Sequence, residues 1–428
     1  MRTYRNTLIL TAFAVLLLAA LACRVPGQVE PTTPPPPPAE PTQPPPMAPT
    51  QPPAPEATLA PQPTLAPPPA DGLPEPVGFA YASEADPRVK IRWFENGQDL
   101  IVEQARLAWA NPNNLHIAGS MPSFDSGLRP PVIFFQPDTA SLKAVYYDDS
   151  VIDLASDSGF YGMAGAPGDS AYAYNSIGYD GTSTVSRLRF SMLENAPNVE
   201  EWLRTTDSDW FVIHPLAVQG DGGRPWKVWF TRHAYGIGGD IVFAPMRGLF
   251  SIDQASKSVV QVLGDDRMLS GLSDDQAWAA SIPLNHGESG AFSLRLHELA
   301  SGRTLEIPAG AQANRGAGNA VFSPGNALVA WMEGNGYRMA EVPDFTATVR
   351  VARNDGSLVL EKAGSEFDAA VGFSGVSDAR PVAWMTQNLV LVEVHATDWI
   401  TTRLVTLDAN DGTIRPVAEG GFLGLVYP

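Results

Sequence analysis

The 428-residue sequence contains a single thiol, Cys23. Disulfides and cysteine-ligated metal centres are therefore excluded as sources of stability, and the fold rests on its apolar core. With 44% hydrophobic residues that core can be large. Basic runs are missing as well. Twenty-eight Lys and Arg face 46 Asp and Glu, for a formal charge of −18, and the basic residues are scattered. A chain this acidic repels phosphates and anionic head groups, which excludes nucleic-acid binding. No strand–helix–strand alternation is visible, so a parallel-sheet enzyme fold is not expected. There is no Gly-x-Ser-x-Gly elbow. The six histidines (His116, His214, His233, His286, His297 and His395) form no His-x-His or His-Glu-x-x-His pair. The sequence thus nominates no catalytic residue, no metal site and no cofactor.

What is present begins at the N-terminus. Arg2 and Arg5 precede an apolar stretch from Leu8 to Leu21, and small residues follow. This is the layout of a secretory leader, and it is short of the roughly 20 apolar residues that a membrane span needs. The lone cysteine stands directly after it. Ala20-Leu21-Ala22-Cys23 resembles the lipobox of bacterial lipoproteins. That resemblance implies removal of residues 1–22, a diacylglycerol on the Cys23 sulfur, and a protein held to the membrane outside the cytoplasm by lipid. Acyl chains anchor by burying methylenes at about 0.8 kcal/mol each.

Residues 23–77 are expected to be a disordered stalk. Positions 24–77 hold 22 of the 40 prolines and no aromatic residue, so they lack the apolar surface to offset ordering entropy. Proline favours an extended chain at about 3.1 Å per residue, which lets the segment reach on the order of 150 Å.

From residue 78 to 428 the texture is that of one all-β domain. Short apolar runs such as Val89–Phe94, Pro131–Phe135, Lys227–Phe230, Asp240–Ala244 and Asn388–His395 alternate with Gly, Asn, Asp and Ser clusters. The one helical candidate is Asn198–Arg204. Two turn signals repeat. Ser273-Asp274-Asp275, Ser323-Pro324-Gly325 and Ser377-Asp378-Ala379 are expected to open apolar runs carrying Trp278, Trp331 and Trp384. Polar hairpins end at Lys257, Gly302, Gly356 and Gly412, spaced by 45, 54 and 56 residues. The Asx-Gly pairs at the last two suit the positive φ of a tight hairpin. This period fits a four-stranded unit, and units that cannot cover both faces alone do so by radial stacking.

Phe322-Ser323-Pro324-Gly325-Asn326-Ala327-Leu328-Val329-Ala330-Trp331 resembles the F-S-P-D-G signature of TolB-type, WD-repeat-like β-propellers, with Gly325-Asn326 in place of Asp-Gly. The resemblance implies a single β-propeller of six to seven four-stranded blades. Blades are expected near 100–157, 158–208, 209–266, 267–316, 317–369 and 370–420. Segment 78–99 together with Phe422–Tyr427 closes the ring or forms a seventh.

Within that fold the chemistry is sparse. Asp408-Ala409-Asn410-Asp411-Gly412 lacks the closing glutamate of a calcium loop and reads as a hairpin. Gly236, Gly238 and Gly239 precede a strand rather than a helix and do not form a phosphate loop. The adjacent aspartates, Asp274-Asp275 among them, are expected to point into solvent. The densest stretch is 224–240, and Trp226, Trp229, Arg232, His233, Tyr235 and Asp240 are the candidate ligand-binding residues. The two tryptophans have opposite strand parity, so one is expected in the core and one outside it. The expected function is non-catalytic: a cell-surface module binding an extracytoplasmic protein or carbohydrate. The alternative is a propeller glycoside hydrolase or lyase, which requires paired carboxylates at the axial funnel.

Overall fold

The protein was analysed as a computed structural model. It describes residues 75–83, 85–106, 115–117, 132–136, 139–145, 150–167, 171–207, 211–221, 224–234, 243, 246–284, 293–311, 316–336, 344–398 and 401–427. The expected leader, Cys23 and all but the last three residues of the stalk lie outside these, as does most of 240–244.

Twenty-seven strands make six hydrogen-bonded sheets, all antiparallel between neighbours. The first contains β1 (Gly78–Ala82), β2 (Arg88–Trp93) and β3 (Asp99–Arg106). The second is β4 (Leu115–Ile117), β5 (Val132–Gln136), β6 (Ser141–Val145) and β7 (Val151–Ser156). The third is β8 (Phe160–Gly165), β9 (Ala171–Tyr179), β10 (Thr184–Met192) and β11 (Glu200–Asp207). A larger sheet follows, with β12 (Phe211–Asp221), β13 (Arg224–Ala234), β14 (Met246–Asp253), β15 (Val259–Leu272), β16 (Trp278–Pro283), β17 (Leu294–Glu298) and β18 (Thr304–Ile307). The last two are β19 (Gly316–Phe322), β20 (Leu328–Asn335), β21 (Thr346–Arg353) and β22 (Leu358–Ala363), then β23 (Val376–Trp384), β24 (Leu389–Ala396), β25 (Thr402–Asp408) and β26 (Ile414–Glu419). The final strand, β27 (Gly421–Val426), returns to pair with β1, from Gly78↔Val426 to Ala82↔Gly421.

The seven-stranded sheet is two four-stranded arrays that share β15. Residues 259–263 of β15 pair with β14, and residues 267–272 pair with β16. First strands of neighbouring arrays lie against one another, β4 on β8, β8 on β12, β15 on β19, β19 on β23, β23 on β27 and β27 on β4, and Leu216 of β12 packs in one apolar cluster with Leu269 of β15. This closed succession of arrays is a β-propeller. The approach is tight enough to require glycine. A Cβ on Gly271 of β15 would lie 1.9 Å from the Ala320 carbonyl oxygen on β19.

The core is distributed rather than central. Each interface between neighbouring arrays carries its own apolar cluster. Val89, Ile91 and Leu423 meet Val132 and Phe134; Ile133 and Leu142 meet Tyr172 and Tyr174; Phe190 and Trp202 meet Ile213 and Phe230. Trp229 and Leu249 meet Leu269 and Ala279; Trp278 and Leu296 meet Phe322 and Trp331; Val349 and Phe345 meet Trp384 and Val392; Leu391 and Leu404 meet Phe79 and Tyr81. Ring closure is reinforced by a buried carboxylate. Glu393 on β24 accepts the Phe422 backbone N–H at 2.7 Å and meets His395 Nε2 at 2.9 Å.

The four polar hairpins stand where expected, between the third and fourth strands of successive arrays. Lys257, Gly302, Gly356 and Gly412 have φ of 52°, 71°, 88° and 74°. The Asp408–Gly412 segment is one of them, with Asp408 Oδ1 accepting from Asn410 N at 2.8 Å and Asp411 Oδ1 from Thr413 N at 2.8 Å. In the Ser-led turns, Ser273 and Ser323 both accept, through Oγ, the N–H five residues on, at 2.9 Å. Gln276 and Asn326 take the positive φ that the motif's glycine would supply, at 54° and 59°.

Two expectations are corrected. Residues Glu200–Asp207 form strand β11, not a helix: Trp202 stacks on Phe190 at 4.4 Å, and pairing with β10 overrides local helix propensity. Ser377-Asp378 lies inside β23 rather than in a turn, with Asp378 fully buried beside Arg380. Trp384 consequently ends an innermost strand, whereas Trp278 and Trp331 stand on second strands.

Candidate functional site

The strand β13 carries four of the six residues singled out from sequence. Trp226 and Trp229 do face opposite sides of it. Trp226 is half-buried against Phe190, ring to ring at 5.9 Å, in the interface with the preceding array. Trp229 is 6% exposed in the interface with the following array, and its Nε1 donates to Gln219 Oε1 at 3.2 Å. The two indoles therefore form no common aromatic surface. Arg232 lies over the Phe211 ring at 5.5 Å and meets Asp265 at 3.4 Å. His233 turns inward, with Nδ1 2.9 Å from the Tyr161 hydroxyl and its ring 5.4 Å from that of His214. Tyr235 and Asp240 lie outside the described residues.

Three histidines are held in their neutral form. Burial, with the nearby His233, lowers the His214 pKa to about 4. Burial lowers that of His233 too. His297 is lowered to about 4 by burial and by the positive charges of Arg267 and Arg295. Its Nε2 is 2.7 Å from Ser281 Oγ, which accepts from Arg267 Nε at 2.8 Å. These three side chains border a cavity of about 40 Å³, room for little more than a water.

The larger cavity is on the axis. It measures about 330 Å³ and is walled by innermost strands: Gly165 from β8, Leu216 from β12, Leu272 from β15, Val321 and Phe322 from β19, Val382 and Trp384 from β23, and Phe422–Leu425 from β27. Two ionisable side chains enter this wall, Asp274 and Tyr427. They are 153 residues apart in the chain, and the Tyr427 hydroxyl donates to Asp274 Oδ2 at 3.2 Å.

The turn explains why the adjacent aspartates diverge. Asp275 is consumed locally: its Oδ1 accepts from the Ser273 hydroxyl at 2.7 Å and from Ala277 N at 3.0 Å. Its Oδ2 accepts from Asn326 Nδ2, in the next array's turn, at 2.6 Å. Asp274 is left to the axis. Its side chain is exposed and borders the cavity. Burial among the surrounding protein raises its pKa, with Asp275 adding to the rise and the Tyr427 bond opposing it. Burial and the neighbouring Asp274 keep the Tyr427 phenol protonated, its pKa well above 10. Sequence reading placed Asp274 in solvent and missed the pair. The available signal was that Asp274 occupies the position taken by Pro324 in the sister turn, where no turn geometry calls for a carboxylate.

Paired catalytic carboxylates stand about 5–9 Å apart across a pocket. Among the described residues, Asp274 is the one carboxylate in this wall.

No family model matches the chain, and no curated protein does. Solved structures of similar arrangement include an oligogalacturonate lyase from Vibrio parahaemolyticus, at 10% identity and a TM-score of 0.47, covering 79% of this chain and 90% of that one. A TolB-like protein from Agrobacterium tumefaciens has 12% identity and a TM-score of 0.38, covering 67% and 90%. The β-propeller domain of the Trilobed protease from Pyrococcus furiosus has 9% identity and a TM-score of 0.42, covering 80% and 92%. These are likenesses of fold, and no activity is carried over from them.

Proposed function

We propose that the protein is a seven-bladed β-propeller, lipid-anchored through Cys23 outside the cytoplasm, that binds an extracytoplasmic ligand without transforming it. Residues 1–22 act as leader and 23–77 as spacer. The blade count takes β27 with β1–β3 as one blade and divides the large sheet at β15. The observation that carries the binding role is the axial cavity: ten of its wall residues are Leu, Val, Phe, Trp or Tyr from β12, β15, β19, β23 and the C-terminal segment, with one carboxylate among the described wall residues. Such a concave, mostly apolar wall with few polar groups is the usual form of a small-ligand pocket. A hydrolase or lyase of the two-carboxylate type needs a second acid there.

Binding is tested by titrating the full chain, reconstituted in lipid vesicles, with a neutral naphthalene dye that brightens in apolar surroundings. The wild type is expected to bind the dye at one saturable site, and Leu216→Trp, which fills the cavity, to lose it while keeping its β circular dichroism. Equal dye binding by both places the ligand site elsewhere. Anchoring is tested by Cys23→Ser. The variant is expected to move from the membrane pellet to the soluble extracytoplasmic fraction; unchanged pelleting would reject the thioether anchor.

A further inference from the structure

The axial wall carries a charge that nothing described answers. Asp274 stands in no described ion pair: its electrostatic neighbours are the Tyr427 hydroxyl and the like-charged Asp275. Buried carboxylates in the domain are answered, Glu333 by Arg350 at 2.7 Å and Asp378 by Arg380. A lone carboxylate at the edge of an apolar cavity favours a ligand that brings the opposite charge. Here the carboxylate borders a cavity of about 330 Å³, large enough for a small organic molecule, with Phe322, Trp384, Phe422 and Tyr427 in the same wall.

We propose that the axial cavity selects an organic ammonium: the cationic nitrogen on the Asp274 carboxylate, the apolar body among the aromatic and leucine side chains of the wall. The inference rests on the axial cavity being the binding site. The Asp274 Oδ2 position is set by the Tyr427 hydroxyl, so the acceptor is fixed before the ligand arrives. Aromatic walls add attraction for a cation that they do not offer a neutral group. An anionic ligand meets a like charge and is disfavoured, so the cavity sorts ligands by sign as well as by shape. The same chemistry is presented by a free amine and by the side chain of a lysine in a partner protein.

The test is calorimetric titration of the full chain in phosphatidylcholine vesicles, with empty vesicles as blank. The probes are phenethylammonium, its neutral analogue 2-phenylethanol, the anion 3-phenylpropionate, and Nα-acetyl-lysine amide. Phenethylammonium is expected to bind about tenfold or more tightly than 2-phenylethanol, and 3-phenylpropionate more weakly than either. Asp274→Asn keeps an acceptor for Tyr427 and is expected to cut ammonium affinity about 10- to 100-fold while leaving the affinity for the alcohol unchanged and the thermal midpoint no lower than that of the wild type. Saturable binding of the lysine amide, sensitive to Asp274→Asn, assigns the natural source to a protein side chain; binding of phenethylammonium alone assigns it to a free amine. Either result supports the proposal. Equal binding of ammonium and alcohol, or an undiminished preference in Asp274→Asn, overturns it and leaves the cavity as a site for neutral ligands. If no probe binds, the axial site falls with it.

Discussion

Replacing Arg350 with methionine is expected to lower the unfolding free energy by about 3–5 kcal/mol, because it strands a buried carboxylate. Glu333 is 4% exposed and Arg350 7%. Register places Arg350 opposite Trp331, two positions from Glu333 on the same face, and Arg350 Nη1 donates to Glu333 Oε1 at 2.7 Å and to the Pro308 carbonyl at 2.8 Å. Glu333 also accepts from Trp331 Nε1 at 3.1 Å and from Gly310 N at 2.8 Å. One carboxylate thus joins the strand pair β20–β21 to the segment leaving β18, across an interface between arrays. Methionine keeps the packing on Trp331 but supplies neither charge nor donor. Adding Glu333→Gln is expected to recover roughly half the loss, since a neutral amide still accepts from Trp331 and has a donor for Pro308. Urea unfolding of the two variants checks this; a single variant within about 1 kcal/mol of wild type refutes the assigned role.

Acid is expected to weaken the fold well before ordinary carboxylates titrate. His214 and His297 have folded-state pKa values near 4, against 6.5 when exposed, and that of His233 is lowered in the same direction. A group with a depressed histidine pKa takes up its proton first in the unfolded chain. Its contribution is complete above about pH 6.5 and is lost as pH falls toward 4. Each of the two larger shifts corresponds to about 3 kcal/mol over that window. The lowered carboxylates, Glu393 among them, contribute stability that is lost only as pH falls below their ordinary range. Asp274, raised instead, gains stability on protonation and partly offsets the loss. Unfolding free energies measured at pH 7.5 and 4.5 should therefore differ by several kcal/mol. The variant His214→Leu/His297→Gln should show a much smaller difference; an unchanged slope would assign the acid sensitivity elsewhere.

The repeat was legible because its marks are local. A hairpin between third and fourth strands needs one residue at positive φ, and Gly302, Gly356 and Gly412 announce it within three or four residues of sequence. The array that joins the two ends of the domain was half legible, since Phe422–Tyr427 reads as a strand but its pairing with Gly78–Ala82 is a property of the closed ring. Asn198–Arg204 misled because Glu, Leu and Arg favour helices in isolation, while the stacking of Trp202 on Phe190 is a tertiary fact. Ser377-Asp378 misled for the reason that a Ser-Asp pair marks a turn only where water can reach it, and here both are buried in β23. The axial pair was half within reach. Comparison with Pro324 marks Asp274 as the aspartate its turn does not need, but Tyr427, 153 residues away, is brought beside it only by the closed ring.

The pairing of β1 with β27 has a consequence for synthesis. The ribosome delivers Gly78 some 343 residues before Gly421. At about 5–20 residues per second, β1 waits roughly 20–70 s with one edge unpaired. Exposed edges of that kind recruit other chains. Its waiting sequence, Gly78-Phe79-Ala80-Tyr81-Ala82, is uncharged and wholly buried in the finished protein. A polypeptide stopped anywhere before residue 421 keeps that edge permanently, so incomplete copies should be the ones that aggregate or are degraded, and the last strand to be made is the one that ends the exposure.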